Sequence, residues 1–224
     1  MPLTDNQLER YARHILLPEI GGVGQAKIQN SKVLVVGAGG LGSPVIQYLA
    51  AAGVGTIGIV DNDIVDLSNL QRQIIHTTPR LGISKVASAR AAILEINPGV
   101  VVIEHQERLL QHNAIELISK YDIVADGCDN FETRFLIMDT CHLERKTLVS
   151  AAILRFDGQL SVFKAYKKDE GDYPCYRCLF PKAPPPDMIP TCSEAGVLGA
   201  LCGVMGSLQA AEILKEITNY SFFC

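Results

Sequence analysis

The sequence has no excess of basic residues, no long apolar run and no apolar leader, and each absence excludes a class of protein. Its 20 lysines and arginines stand against 24 aspartates and glutamates, a net charge of −4, so no nucleic-acid partner is expected. No apolar run approaches the roughly 20 residues that a membrane-spanning helix needs. The first residues, MPLTDNQLERYARH, are charged and lack the apolar core of a signal peptide. We therefore expect a cytoplasmic protein with no membrane partner.

The alternation of apolar strands and helical segments predicts an α/β fold. Of the 224 residues, 48% are hydrophobic, and the length favours a single domain over 1–224. Strands alternate with helices from KVLVV (32–36) to TLVSAA (147–152), which predicts a mostly parallel sheet with helices on both faces. Asp157-Gly158 lies between two apolar runs and predicts a hairpin, so antiparallel strands are added near the C-terminal end. The sequence also predicts an N-terminal helix over 4–14 and an irregular, proline-rich crossover loop over about 166–193.

A glycine-rich segment, VLVVGAGGLGSP (33–44), follows the first β-strand of this alternation. Gly37, Gly39 and Gly42 occupy the three positions of G-x-G-x-x-G between a strand and a helix, which is typical of a Rossmann-type nucleotide site. The free N–H groups at the start of the helix would bind a phosphate. Asp61 ends the next strand, where a carboxylate can accept hydrogen bonds from ribose hydroxyls. The motif predicts a bound nucleotide and leaves its identity open.

The residues after Asp61 favour chemistry on a phosphate. The segment DNDIVDLSNLQRQ (61–73) contains Asn69 and Arg72, and Lys85 opens the next helix. Two cations and an amide near a pyrophosphate suit phosphate chemistry, in which negative charge builds in the transition state, whereas hydride transfer would not need them. The sequence has no G-x-x-x-x-G-K-[ST] motif, which excludes a P-loop. Considered singly, Arg72 and Lys85 could also be solvated surface charges.

Six sequence blocks carry a family resemblance, because they occur in one order across nearly the whole chain: GAGGLGSP, DNDIVDLSNLQRQIIH, GISKV, DGCDNFETR, CYRCLFP and TCSEAGVLG. Together they resemble the MoeB/ThiF/HesA family of adenylyltransferases, and PKAPPP to TCSEAGVLG looks more like the MoeB branch. The resemblance implies that the chain uses ATP to adenylate the C-terminal glycine of a small ubiquitin-like sulfur carrier. The implied carrier is of MoaD type, in molybdopterin cofactor biosynthesis, and the alternative is a ThiS-type carrier in thiamine biosynthesis.

The resemblance also implies roles for individual residues. Gly40 and Asp61 would contact the nucleotide, Lys85 would neutralise its phosphates, and Asp129 beside Asn130 would bind Mg²⁺. The phosphates would be lined by Ser68, Asn69, Leu70, Gln71 and Arg72. From the sequence alone, Asp129 could also cap the helix that begins at 131. A substrate carboxylate is already ionised at neutral pH, so no general base is expected.

Arg13 has a different implied role, in the site of a second chain. In the family, the corresponding arginine of the N-terminal helix reaches the active site of the partner subunit, which implies a homodimer. On the residues alone, Arg13 is a cation on an amphipathic helix.

Seven cysteines point to reduced thiols, a metal site or a reactive sulfur. Cys175 and Cys178 form one C-x-x-C, which is half of a tetrahedral zinc site. The resemblance implies a second C-x-x-C near the C-terminus, where this sequence has only Cys224, so either the chain is a truncated form or zinc is bound differently or not at all. Cys192 is a candidate thiol nucleophile, because related enzymes carry a cysteine there, provided that its pKa is lowered. Two other functions stay open: an NAD-dependent oxidoreductase, and an inactive binding protein of the same fold.

Overall fold

The computed structural model describes residues 3–167, 173–183 and 196–220. Within this part of the chain, six strands form one sheet: β1 (Lys32–Val36), β2 (Thr56–Val60), β3 (Val101–His105), β4 (Ile123–Asp126), β5 (Thr147–Leu154) and β6 (Asp157–Phe163). Their order is β3-β2-β1-β4-β5-β6, with β1 to β5 parallel and β6 antiparallel to β5. This is the predicted Rossmann-type sheet with an antiparallel strand added late in the chain. The strand order reverses between β1 and β4, so a ligand crevice is expected at their carboxyl ends.

Helices cover both faces of the sheet, as predicted. The helices of the described residues are α1 (Asp5–Arg10), α2 (Ala12–Ile15), α3 (Gly21–Asn30), α4 (Gly42–Ala52), α5 (Lys85–Ile96), α6 (Ala114–Ser119), α7 (Phe131–Leu143), α8 (Tyr176–Leu179) and α9 (Gly199–Thr218). On one face α4, α5 and α9 pack on the strands through Leu49, Ile93 and Ile213. On the other face α6, α7 and α8 contribute Ile118, Ile137 and Tyr176. None of the helices described here is long and apolar enough to span a bilayer.

The N-terminal segment differs from the single predicted helix over 4–14. Thr4 caps α1 and accepts a hydrogen bond from the backbone N–H of Gln7, but the helix stops at Tyr11, whose φ and ψ are −102° and 13°. The ring of Tyr11 packs against the backbone of Gly53, and its hydroxyl accepts a hydrogen bond of 2.9 Å from Asn97. This tertiary packing divides the segment into α1 and α2.

The hairpin is present, but its turn differs from the predicted one. Leu154 pairs with Asp157, so Arg155 and Phe156 form the turn, and Asp157-Gly158 is the start of β6. Arg155 takes the left-handed conformation, with φ of 54°. A side chain at Gly158 would collide with Met205 of α9, because a Cβ there would lie 2.7 Å from the Met205 sulfur. The glycine therefore serves helix packing and not the turn.

Candidate nucleotide-binding site

The glycine loop between β1 and α4 has the geometry that its motif predicts. Gly37 is left-handed, with φ of 94°, and donates its N–H to the carbonyl of Val60 at 2.8 Å. A Cβ on Gly42 would collide with the carbonyl oxygen of Gly37, and a Cβ on Gly37 would lie 3.0 Å from the carbonyl oxygen of Gly127. At Gly39 a Cβ would approach only the amide of Gln73, at 3.8 Å. The loop is therefore closed against the protein at Gly37 and Gly42 and open toward the crevice at Gly39, as a phosphate site requires.

Asp61 connects the end of β2 to this loop. One carboxylate oxygen accepts the backbone N–H of Ala38 at 2.8 Å, and the other accepts the N–H of Asp63 at 2.9 Å. Each oxygen has a second lone pair, and the side chain is half-buried. Asp61 thus fixes the loop, and its contact with a ribose stays a prediction.

Arg72 lies directly beside the glycine loop. Its side chain Cγ is 3.5 Å from the position that a Cβ on Gly40 would take, and its guanidinium donates to the carbonyl of Ser68 at 3.1 Å. Ser68 lies in the short turn that precedes Arg72, where it donates both its N–H and its hydroxyl to the Asp66 carboxylate. These two bonds lower the pKa of Asp66. The predicted phosphate-lining residues Ser68, Asn69, Leu70 and Gln71 share that turn and are exposed or half-buried.

Lys85 is buried, so the surface-charge interpretation is wrong for this residue. Only 6% of it is exposed, and its ammonium forms an ion pair of 2.9 Å with Asp63, two residues after Asp61. Ser84 caps α5 by accepting the N–H of Ala87, which places Lys85 at the first position of the helix. A buried ammonium needs an anionic partner, and here that partner is itself more than half exposed, at 58%. The cation therefore lies at the edge of the crevice.

Asp129 and Asn130 follow β4, beside the glycine loop. Gly127 donates its N–H to the carbonyl of Val36 at 2.9 Å, so the two loops run backbone against backbone. Asn130, and not Asp129, caps α7, because its side-chain oxygen accepts the N–H of Thr133 at 2.9 Å. The capping alternative for Asp129 is therefore wrong. Its carboxylate is exposed, 3.5 Å from the amide nitrogen of Asn130.

A buried ion pair that the sequence analysis missed fixes this second loop. Asp126 is fully buried and accepts hydrogen bonds from Cys128 N–H and Ser150 Oγ, and its carboxylate lies 3.0 Å from Arg134 Nε. Arg134 also donates to the carbonyl of Cys128 at 2.9 Å. Burial alone would lower the pKa of Arg134, but the Asp126 carboxylate, Cys128 and Tyr176 together raise it above its usual value. In the sequence, this ion pair is marked only by the first and last residues of the block DGCDNFETR, which are Asp126 and Arg134.

Gln73 and His76 were also missed, and both are buried next to the glycine loop. The side-chain carbonyl oxygen of Gln73 has no hydrogen-bond partner among the described residues. A buried acceptor without a partner is costly, so this atom fits a ligand group that donates a hydrogen bond. The ring of His76 contacts the carbonyl of Ala38 within the loop. The one sequence feature that marks them is the block QRQIIH, in which polar residues flank an apolar pair.

Cys175 and Cys178 lie together at the start of α8, with their sulfur atoms 3.2 Å apart. The N–H of Cys175 donates to the sulfur of Cys178, and this bond, with the neighbouring thiol, lowers the pKa of Cys178. No group of three or more potential metal ligands occurs in the described part of the chain. Two thiols are half of the four ligands that a tetrahedral zinc site needs. Cys192 and Cys224 lie outside the described residues.

Arg13 is not brought to the glycine loop of its own chain. The neighbouring Arg10 donates to the carbonyl of Ile96 at the end of α5, and His14 contacts Gln25, which in turn donates to the carbonyl of Ala52 at the end of α4. Both helices begin at the crevice, and the eleven residues of α4 span about 16 Å. The exposed Arg13 therefore lies at the opposite end of these helices.

The fold and the site define an α/β protein of the Rossmann type with a nucleotide-binding glycine loop. The sequence profile of the ThiF family matches residues 11–222, and the chain belongs to this family. It is 50% identical over 217 residues to the probable adenylyltransferase/sulfurtransferase MoeZ of Mycobacterium tuberculosis, covering 97% of this chain and 55% of that protein. It is 47% identical to the adenylyltransferase and sulfurtransferase MOCS3 of Drosophila yakuba, covering 97% of this chain and 47% of that protein.

The chain thus spans about half the length of the curated relatives that it matches. Among solved structures, the crystal structure of E. coli MccB with ATP superposes with a TM-score of 0.75 at 24% identity, covering 95% of this chain and 64% of that chain. This likeness shows the shared fold. The predicted family and fold class are confirmed.

Proposed function

We propose that this chain binds ATP with Mg²⁺ and adenylates the C-terminal glycine of a small ubiquitin-like sulfur-carrier protein of MoaD type, with release of pyrophosphate. The observation that carries the proposal is the position of two cations beside one glycine loop. Arg72 packs on Gly40, and Lys85, the first residue of α5, is buried against Asp63, which follows β2. The adenylyltransferase names of the relatives support this activity over hydride transfer.

The chemistry needs positioning and charge neutralisation. The carrier carboxylate is ionised at neutral pH, so one of its oxygens can attack the α-phosphorus without a general base. A carboxyl oxygen–phosphorus bond forms, the bond between the α-phosphorus and the bridging oxygen breaks, and pyrophosphate leaves with the electron pair. Arg72 and Lys85 would neutralise the charge that builds on the phosphates. The free N–H groups at the start of α4 would bind phosphate oxygens.

The crevice also has a residue suited to magnesium. Mg²⁺ usually takes one or two carboxylates together with substrate phosphates and water. Asp129 offers an exposed carboxylate on the loop that adjoins Gly37, with Asn130 beside it. The ion would neutralise part of the charge on the phosphates when bound. Gln73, whose buried carbonyl oxygen has no partner in the described residues, is positioned to accept a hydrogen bond from the nucleotide.

The position of Arg13 supports a homodimer. Because the N-terminal helices lie at the ends of α4 and α5 away from the crevice, Arg13 would act only in the site of another chain. There its guanidinium would add a third cation near the phosphates, in the manner of an arginine finger.

Two roles for cysteine stay proposals. Zinc bound by Cys175 and Cys178 would be structural, and we derive no chemical step from it. Metal analysis of the wild type and of Cys175→Ser tests this site: zinc in the wild type that is lost in the variant supports it, and none in either contradicts it. A covalent role for Cys192 predicts a thioester with the carrier that Cys192→Ala cannot form. Unchanged carrier chemistry in that variant would exclude the role.

Carrier-dependent exchange of labelled pyrophosphate into ATP tests the proposed function. We expect exchange with a MoaD-type carrier that ends in Gly-Gly and none with the same carrier lacking its last glycine. A ThiS-type carrier run in parallel tests the alternative partner. The proposal would be contradicted if exchange did not depend on the last glycine of the carrier. It would also be contradicted if a calorimetric titration showed tighter binding of NAD than of Mg·ATP. The absence of exchange with both carriers, while Mg·ATP binds, would favour an inactive binding protein.

A further inference from the structure

His76 is a buried side chain that contacts two separate elements of the candidate site. Its Nε2 lies 2.9 Å from the carbonyl oxygen of Ala38, within the glycine loop. Its Nδ1 lies 2.8 Å from the hydroxyl of Ser88, in α5. Only 4% of the residue is exposed. The ring therefore bridges the loop and the helix that begins with Lys85.

The partners fix the protonation of the ring. A carbonyl oxygen only accepts hydrogen bonds, so Nε2 carries the proton and donates it to Ala38. In the neutral ring Nδ1 then accepts the hydroxyl proton of Ser88. Burial lowers the pKa of His76, and the cations Lys85 and Arg80 lower it further, while the hydrogen bond to Ala38 and the charge of Asp61 oppose the shift without reversing it. A neutral ring with both nitrogens hydrogen-bonded is the stable form at neutral pH.

Three parts of the site meet at this ring. Ala38 is fixed on both sides, because its N–H donates to Asp61 and its carbonyl accepts from His76. The backbone of His76 continues the turn that carries Arg72, since its N–H donates to Gln73 and the N–H of Gln73 donates to Asn69. Ser88 lies one helical turn after Lys85. A shift of the ring would therefore change the positions of the glycine loop, Arg72 and Lys85 relative to one another.

We propose that His76 is a positioning residue that keeps the glycine loop in register with Arg72 and Lys85 through the hydrogen bond from its Nε2 to Ala38. This inference deepens the proposed function and rests on it for the identity of the nucleotide. The ring does not touch the phosphates. Its effect is to pre-organise the loop before the nucleotide binds, so that binding does not have to order it.

Substitutions at His76 separate the hydrogen bond from packing. Leucine fills a similar volume but has no donor, and it leaves the buried Ala38 carbonyl without its partner. Glutamine places an amide N–H at about the reach of Nε2. A net loss of about 1.4 kcal/mol, within the usual range for leaving a buried group unpaired, corresponds to about tenfold in affinity. We expect His76→Leu to weaken Mg·ATP binding about tenfold and to raise the ATP KM by a similar factor, and His76→Gln to recover most of both.

The matched control is His105, a half-buried histidine whose pKa is also lowered by burial. Its Nε2 lies 2.8 Å from the hydroxyl of Tyr121, so His105→Leu removes a comparable hydrogen bond that is not made to the glycine loop. We expect this variant to lose stability without a change in Mg·ATP affinity.

Hydrogen exchange of the full chain without nucleotide gives the readout that does not depend on activity. Amides of the glycine loop, including that of Ala38, should exchange faster in His76→Leu than in the wild type, His76→Gln or His105→Leu. Unchanged loop exchange in a folded His76→Leu would overturn the inference, and so would faster loop exchange in His105→Leu or no recovery in a folded His76→Gln. A wild type that binds no Mg·ATP would contradict the proposed function, while the exchange comparison would still decide whether His76 positions the loop.

Discussion

At the scale of single residues, the two proposed phosphate-binding cations are held in different ways. Lys85 is buried and paired with Asp63, whereas Arg72 is half-buried and lies along the backbone of the glycine loop. The loop packing limits the positions that Arg72 can take. Each cation is therefore placed before any ligand arrives, which is the condition for electrostatic catalysis.

This arrangement predicts that each cation is needed for turnover. Arg72→Ala and Lys85→Ala should each lower carrier adenylation by about 10²-fold or more, as the loss of one pre-organised donor does. Initial rates of pyrophosphate release measure the effect. Lys120→Ala is the control, because Lys120 forms an exposed pair with Glu116, and its rate should stay at the wild-type level. Near wild-type rates in both site variants would show that they are ordinary structural charges.

The lowered pKa of His76 makes stability depend on pH. Burial, Lys85 and Arg80 keep its pKa below the usual value of 6.5, against the opposing effects of the hydrogen bond to Ala38 and of Asp61. Between the two pKa values the unfolded chain binds more protons than the folded chain, so this contribution to stability is complete above pH 6.5 and is lost as the pH falls toward the folded-state pKa. In urea unfolding at pH 7.5 and 5.5, the wild type should lose more stability on acidification than His76→Gln. Equal losses would show that folding does not lower the pKa of His76.

At the scale of elements, the end of β4 and the loop before α7 carry two carboxylates in different surroundings. Asp126 is fully buried beside the guanidinium of Arg134, and three residues later the carboxylate of Asp129 is exposed. Because their surroundings differ, an aspartate-to-asparagine substitution should change stability at Asp126 and adenylation activity at Asp129.

Asp126→Asn leaves the Arg134 charge buried without its anion, so it should lower the free energy of unfolding by about 3–5 kcal/mol. Asp129→Asn should change that free energy by less than about 0.5 kcal/mol, because the site is exposed, and should still lower Mg²⁺-dependent adenylation. Urea unfolding and pyrophosphate release distinguish the two effects. If Asp129→Asn kept full activity, Asp129 would have no role in metal binding.

Local sequence patterns predicted those elements whose own residues determine them. The buried strands β1, β2 and β4 and the loop around Gly37 follow from apolar runs and glycine spacing. The break at Tyr11 and the turn at Arg155 were not predictable in this way, because they depend on Gly53, Asn97 and Met205, which are distant in the sequence. The same holds in the site, where His76 and Arg134 act through partners on other elements and leave no periodic signal.

At the scale of the whole molecule, the helix lengths place Arg13 and the crevice at opposite ends of α4 and α5. An active site that needs Arg13 must therefore be shared between two chains. Shared sites can be tested by complementation, because two chains with different defects can rebuild one complete site in a mixed dimer.

Arg13→Ala and Asp129→Ala chains should each be nearly inactive alone. In a mixed dimer, one site keeps its own Asp129 and receives Arg13 from the other chain, so activity should return to about a quarter of the wild type if chains mix randomly. Pyrophosphate release from the mixture, with subunit exchange confirmed, measures this recovery. Without recovery, Arg13 would act within its own chain or not at all.

If the glycine loop presents ATP to a carrier carboxylate, the product of that step has a measurable mass. Intact-mass spectrometry of a MoaD-type carrier ending in Gly-Gly, incubated with this protein and Mg·ATP, should show a carrier that has gained one AMP. The same carrier without its last glycine should stay unmodified, and so should the intact carrier incubated with the Arg72→Ala protein over the same short time. An unmodified Gly-Gly carrier under conditions in which the protein binds Mg·ATP would contradict the account.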